Sequence, residues 1–232
     1  MIDLYELAGA DPEHRFSPYC WRIRMALAHK GLNARTIAWR FTEKTALPGS
    51  PPSKRVPVIV DRGEAVCDST DIAYHLENAY PNSPSLFGGP GGEAHARFII
   101  AWSDLVLVPG IFPLIAADII VHLAPKDQAY FRQSREKRLG CSLEEARSRH
   151  ATLLPALQAS LRPLEATLTQ QSFLGGEEPT YADYAVFGVF QWARCVSAVA
   201  ITQPETAVAK WIESMLDLFD GQARAAVVKH AA

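Results

Sequence analysis

Apolar and polar positions alternate over residues 2–7 (Ile-Asp-Leu-Tyr-Glu-Leu), which predicts a short strand. From residue 18 the period lengthens. Tyr19, Ile23, Ala26 and Leu27 fall at i, i+4, i+7 and i+8, one face of a helix over 18–30. Pro18 suits the first helical position, where its missing N–H costs nothing, and Gly31 suits the stop. Residues 34–39 predict a second strand. The polar, proline-interrupted segment 40–55 predicts a short helix plus loop. Val56–Val60 and Glu64–Cys67 flank Asp61-Arg62-Gly63, the turn chemistry of a hairpin. Ile72, Leu76, Ala79 and Tyr80 restore the helical period over 69–80, and Pro81 ends it.

The order β-α-β-(α)-β-β-α places a parallel pair, joined through a helix, beside an antiparallel edge hairpin. One face of the resulting four-stranded sheet would carry two helices. Residues 81–92 are dense in Pro, Gly and Ser and read as a linker. Their glycines lack the Gly-Lys-Ser/Thr ending of a phosphate loop and follow no strand. Beyond residue 93 no strand pattern appears. Leu154, Leu157, Leu161, Leu164 and Leu168 form one stripe of a long helix, and 181–200 and 207–219 are also periodic. The division expected is a mixed α/β domain at 1–80, a linker at 81–92 and an all-α domain of about five helices at 93–232.

One run, 105–121 (LVLVPGIFPLIAADIIV), is strongly apolar. It falls short of the ~20 residues of a spanning helix and contains Pro109, Gly110, Pro113 and Asp118, so a kinked core helix is expected. With 232 residues, 48% apolar, the chain buries a core without staples. A net charge of −2 without a basic cluster argues against nucleic acid as a partner. The four cysteines (20, 67, 141 and 195) are dispersed and the histidines show no ligand spacing, so neither a disulfide framework nor a metal site is expected. The first residues have no basic flank or apolar core, so no signal peptide is expected and the cytoplasm is the expected compartment.

Three short segments carry candidate chemistry. Ser17 precedes Pro18 at the start of the first helix, where free N–H groups and the helix dipole can hold a thiolate or a phosphate; plain capping accounts for the same residues. Pro57 opens a strand. A cis bond there would leave the Val56 backbone free to receive an extended peptide, whereas a trans bond would make an ordinary edge strand. Asp68-Ser69 opens the next helix, Ser69 as the cap, and can serve as a cap alone or receive an ammonium and a carboxylate.

Taken together, these segments resemble the thioredoxin-like half of the cytosolic glutathione transferases, and the all-helical remainder resembles that family's second domain. Ser-Pro-Tyr-Cys (17–20) is similar to the Cys-Pro-Tyr-Cys of glutaredoxins with serine in the attacking position. Val56-Pro57 resembles the family's cis-proline dipeptide, and Asp68-Ser69 its γ-glutamyl-binding pair. Thr180-Tyr181-Ala182-Asp183 is similar to the family's capping box, a folding element. Within the family, SPYCWR and RVPVIVDRGE look closest to the bacterial β-etherase group and its fungal relatives, associated with the metabolism and detoxification of aromatic compounds.

The resemblance implies glutathione as co-substrate and a homodimer, with no membrane partner. Ser17 would stabilise the glutathione thiolate, Val56 and Pro57 would hold the cysteinyl part, and Asp68 and Ser69 the γ-glutamyl end. Arg55 or Lys54 would meet the glycyl carboxylate, with Tyr5 and Tyr19 in reserve for the thiolate. Phe112, Tyr130 and Trp192 are candidates for the electrophile side, with core packing as the competing explanation. Cys20, one turn into the helix, reads as core filler. The implied activity is transfer of glutathione to an aromatic electrophile, with β-aryl ether cleavage as a variant; a non-catalytic binder of aromatics is the alternative.

Overall fold

The computed structural model describes residues 1–43, 47–50 and 52–230. Four strands, β1 (Ile2–Leu7), β2 (Ala34–Trp39), β3 (Val58–Asp61) and β4 (Glu64–Cys67), form one sheet in the order β2-β1-β3-β4. β1 pairs in parallel with β2, while β1–β3 and β3–β4 are antiparallel. The crossover from β1 to β2 runs through α1 (Pro18–His29), and α2 (Ser69–Ala79) follows the hairpin and packs against α1. Ile2, Leu4 and Ile59 of the sheet and Ile23, Ile72 and Leu76 of the helices are buried between the layers. No helix forms among the described residues of 40–55; the remainder of that expectation, including Pro51, lies outside them.

Glu6 of β1 is fully buried, yet it is not an isolated charge. Arg24 of α1 grips both carboxylate oxygens at 2.6 Å, which ties the first strand to the first helix. Glu77 fastens the linker in a similar way. It accepts from the Ser85 hydroxyl (2.5 Å) and the Leu86 N–H (2.9 Å) while pairing with Lys30 at 2.7 Å.

The helical part contains more helices than the sequence pattern predicts. It comprises α3 (Gly92–Trp102), α4 (Val108–Ile119), α5 (Pro125–Leu139), α6 (Leu143–Ser148), α7 (His150–Ser160), α8 (Arg162–Leu168), α9 (Tyr181–Val196) and α10 (Ala207–Gly221). The leucine stripe of 154–168 is shared by two helices, because the chain turns at Leu161 and Pro163 opens α8 without an N–H to offer. The last helix unwinds early: Leu218 is extended, and Phe219 and Asp220 are left-handed.

A π-helical turn, Ser103–Leu107, joins α3 to α4, and Pro113 lies inside α4, so the apolar run is interrupted as its prolines predict. The run Gly92–His122 is long and apolar enough to cross a membrane, but half of its most apolar window is buried in the fold, against α6, α7 and α9.

The spine is α9, buried along its whole length except at Arg194. Asp183 in its first turn accepts from the N–H groups of Leu174 (2.7 Å), Gly175 (3.1 Å) and Thr180 (2.9 Å) and from the Trp211 indole (3.0 Å). Gly188 brings α9 against the opening of α1. A Cβ there would lie 2.4 Å from the Pro18 carbonyl oxygen.

Candidate active site

The loop between β1 and α1 is fixed before the helix begins. Ala8 and Arg15 form an isolated bridge, the Trp21 indole donates to the Arg15 carbonyl (3.0 Å), and the buried His14 bonds the Cys195 carbonyl through Nε2 (2.8 Å). This delivers Ser17 to the N-cap of α1 with extended backbone (φ −62°, ψ 127°). Its Oγ accepts the Cys20 N–H at 3.4 Å. Among the described residues the Tyr19 N–H makes no hydrogen bond, so it is one free donor at the positive end of the helix. Cys20 is 1% exposed, and burial, followed by the neighbouring Glu6 charge, pushes its thiol up to about 12. It is a packed thiol, not a nucleophile.

The Val56-Pro57 bond is cis. The N–H and C=O of Val56 bond to no described residue. Tyr5 pairs with Val58, and Val58 with Cys67. Continuing these antiparallel registers two residues carries Val56 level with Leu7 on one side and Ser69 on the other. Two of the sequence-predicted segments thus come level with the end of β1, from which the loop to Ser17 departs.

At Asp68 the backbone is left-handed in φ (75°), a strained value for a residue with a Cβ. Asp68, not Ser69, is the N-cap of α2: its Oδ1 accepts the Thr70 N–H at 2.8 Å. Ser69 is the first helical residue and is 2% exposed, and its carbonyl accepts the Tyr181 hydroxyl at 2.6 Å. A residue of the α9 capping box therefore anchors the Asp68-Ser69 corner from below.

Arg22 braces the first turn of α1. It is fully buried, donates to Asp104 Oδ1 (2.7 Å) and Ser103 Oγ (3.2 Å) of the π-helical turn, and stacks over the Tyr19 ring at 4.7 Å. Burial, and then the Asp104 charge, raises the Tyr19 pKa, and Asp68 adds to the same effect. Asp68 and Asp104 are thus both within electrostatic reach of the first turn of α1.

Arg55 and Lys54 are exposed beside this end of the sheet, with the Arg55 backbone closed in a small turn on the Ser53 hydroxyl. Tyr5 lies within β1, paired with Ile37 and Val58. Phe112 and Trp192 are 3% and 8% exposed and stack on one another 5.9 Å apart, so both are packed in the core and neither offers a surface to a substrate. Tyr130 is 45% exposed and faces Phe41. Among the described residues no cluster has the makeup of a metal site. Hollows of about 430 Å³ behind α1 and about 330 Å³ under the linker lie apart from Ser17.

Residues 12–84 match the model of the glutathione S-transferase N-terminal domain, and residues 94–216 match that of the C-terminal domain, more than half of the chain by itself. The chain belongs to the glutathione S-transferase family. It is a glutathione transferase by family and relatives, and glutathione is the family's co-substrate.

The fold is similar to that of glutathione transferase GSTFuA3 from Phanerochaete chrysosporium (26% identity, 95% of this chain and 96% of that one, TM-score 0.79). It is also similar to that of a Ceriporiopsis subvermispora glutathione S-transferase solved with glutathione (24% identity, 99% of both chains, TM-score 0.77). Among curated proteins, glutathione S-transferase U22 of Arabidopsis thaliana is 24% identical over 76% of this chain and 69% of its own length.

Sequence reasoning missed the contacts that Arg22, Asp104 and Tyr181 make around the first turn of α1 and the Ser69 carbonyl. The one available signal was chemical: an arginine at the inward period of a helix must find a partner. No local motif points from Arg22 to residue 104.

Proposed function

We propose that Ser17 donates its hydroxyl to the sulfur of glutathione and, with the free N–H at the head of α1, holds it as a thiolate. Lowering a thiol pKa by two units requires about 2.7 kcal/mol. One charge-assisted hydrogen bond (~1.5–3 kcal/mol) together with the helix dipole (~0.3–1 kcal/mol) reaches that range. The unbonded Val56 backbone ahead of the cis proline takes the cysteinyl part as an added strand, Asp68 and Ser69 take the γ-glutamyl group, and Arg55 or Lys54 takes the glycyl carboxylate. The observation that carries this reading is the alignment of Val56 and Ser69 with the end of β1, with the Val56 N–H and C=O unbonded among the described residues.

The electrophile is aromatic and lies against α4 and α5, where Tyr130 is exposed and Phe112 and Trp192 form the backing. β-Aryl ethers activated by an adjacent ketone fall within this class. The thiolate attacks the carbon bearing the aryloxy group, a C–S bond forms, the C–O bond breaks and phenolate departs.

The protein acts as a cytoplasmic homodimer. Ala94, Phe98, Ala101 and Leu105 form an exposed stripe along α3 and the π-helical turn, with Phe98 70% and Leu105 77% exposed, and a second copy covers it.

The test is incubation with glutathione and a β-aryl ether ketone. Equal yields of thioether and free phenol support the full reading. Conjugation of an aryl chloride without phenol release confines it to substitution. Glutathione binding with no product from either leaves only the binder alternative, and failure to bind at millimolar concentration removes the reading.

A further inference from the structure

Two arginines of α5 lie over aromatic rings without a carboxylate partner among the described residues. Phe131, Arg135 and Arg138 recur at i, i+4 and i+7 on one side of the helix. The Arg135 guanidinium lies over the rings of Phe41 (5.3 Å) and Phe131 (5.2 Å), and that of Arg138 lies over Phe112 (5.2 Å). Neither forms an ion pair with any described residue, although α5 supplies one to its neighbour: Arg132 pairs with both Glu136 and Glu144 at 2.8 Å. Among the described residues the Arg135 guanidinium hydrogen-bonds only the adjacent Ser134 hydroxyl, at 3.3 Å.

Arg138 also lies within electrostatic reach of the first turn of α1. The Arg138 charge acts on the Tyr19 hydroxyl, two residues past Ser17. Burial depresses the Arg135 pKa; the Tyr130 hydroxyl opposes this, and the charges of Arg138 and Arg55 add smaller depressions, so two further cations lie within electrostatic reach of Arg135 and no carboxylate is among the groups acting on it. Arg135 is partly buried while Arg138 and Arg55 are exposed, and a partly buried cation beside like charges is completed by an anion. A guanidinium over an aromatic ring can still receive a carboxylate along its edge in two parallel hydrogen bonds.

We propose that Arg135 and Arg138 select the electrophile by charge, so that the preferred substrate is an aromatic anion whose carboxylate, or equivalent acidic group, docks on α5 while its ring lies along Phe41 and Tyr130. The inference rests on the proposed use of Ser17 and glutathione, and it narrows the substrate class of that site. The glycyl carboxylate of glutathione is the other anion near these residues. Arg55, which shares its segment with Val56, is placed to take it and leaves the α5 pair to the second substrate.

A matched pair of electrophiles tests this: 4-chloro-3,5-dinitrobenzoate and its methyl ester. In both, the thiolate adds at the carbon bearing chlorine, the C–S bond forms and chloride leaves with the C–Cl electron pair. The two differ in the anionic group alone. Each kcat/KM is divided by the uncatalysed rate constant with glutathione, because the ester is intrinsically the more reactive. The wild-type protein favours the carboxylate by about tenfold or more, the worth of one charge-assisted hydrogen bond. In R135Q/R138Q that ratio falls to near one, while in K137Q, which removes an exposed cation from the same helix, it stays.

A wild-type ratio near one overturns the inference and leaves the Ser17 reading intact, since the ester is still turned over. A rise in the KM for glutathione in R135Q/R138Q with the ratio unmoved assigns the pair to the glycyl carboxylate and also overturns it. If neither chloride is turned over, the Ser17 reading fails by itself. Calorimetry with the two preformed conjugates then reads the charge preference directly, and equal affinities overturn the inference.

Discussion

Cys20 lies one turn from Ser17, and its N–H donates to the serine hydroxyl oxygen across that turn at 3.4 Å. The two residues occupy the positions that a dithiol redox protein would fill with a pair of cysteines. Here burial separates their roles. Ser17 heads the helix, whereas Cys20 is sealed beneath it with its thiol pushed up to about 12. Cys20 and the equally buried Cys195, also pushed up to about 12, will resist iodoacetamide at pH 8 in the folded protein, while the partly exposed Cys67 and Cys141 react. Peptide mass mapping after a timed exposure reads this out, and early alkylation of Cys20 would contradict it.

Restoring the missing thiol tests the same turn from the other side. Ser17→Cys will gain glutathione-dependent thiol transfer and lose conjugation of aryl chlorides, because the thiol at position 17 attacks a disulfide itself instead of activating the thiol of glutathione. A coupled assay with a mixed disulfide follows the gain. No gain in S17C would place residue 17 away from the reacting sulfur.

Arg22 and Asp104 hold the α1 turn against the π-helical turn. Asp104→Ala leaves the Arg22 guanidinium, 0% exposed, without its carboxylate, with the Ser103 hydroxyl as its remaining side-chain acceptor. Loss of one partner of a buried pair costs about 3–5 kcal/mol, toward the low end here because Asp104 is partly solvated. Urea denaturation at neutral pH measures it. A loss within ~0.5 kcal/mol, the range of an ordinary surface substitution, would show that the pair carries no load.

Acid will loosen the linker and the edge hairpin first. Burial alone would raise the pKa of Glu77, but Lys30, Ser85 and the Leu86 N–H outweigh it and hold the carboxyl below its ordinary 4.5. At Asp61 burial is likewise outweighed, by His75 and Tyr80, and the carboxyl sits below 3.8. For a depressed carboxylate the stabilising contribution is complete above the unfolded pKa and vanishes as pH falls through the folded one. The melting temperature will therefore be flat in these groups at pH 6 and fall below about pH 4.5. Glu77→Gln will melt lower at pH 6 with a shallower acid slope. An unchanged slope in E77Q would contradict the assignment.

The α/β half was legible because each of its elements carries a local signal: alternation in residues 2–7, Pro18 and Gly31 at the ends of α1, and Asp61-Arg62-Gly63 between β3 and β4. The helical half was less so. Periodicity marks apolar faces but not breaks, so the leucine stripe that crosses from α7 into α8 read as one helix, and Phe219 and Asp220 gave no warning of the turn that ends α10. In the proposed site, the cap of α2 read as Ser69 is Asp68, while Ser17 and Val56-Pro57 announce themselves by cap and proline chemistry. Arg22, Tyr181 and Arg135 do not, because what each one touches is set by packing between elements far apart in sequence.

The account depends most on the Ser17 hydroxyl, and the direct measurement is the pKa of enzyme-bound glutathione, followed by thiolate absorbance in a pH titration of the wild-type protein and Ser17→Ala. The wild-type complex will titrate about two units below the free-thiol value near 8.5, and S17A will return most of the way to it. Coincident titrations in the two proteins would contradict the account.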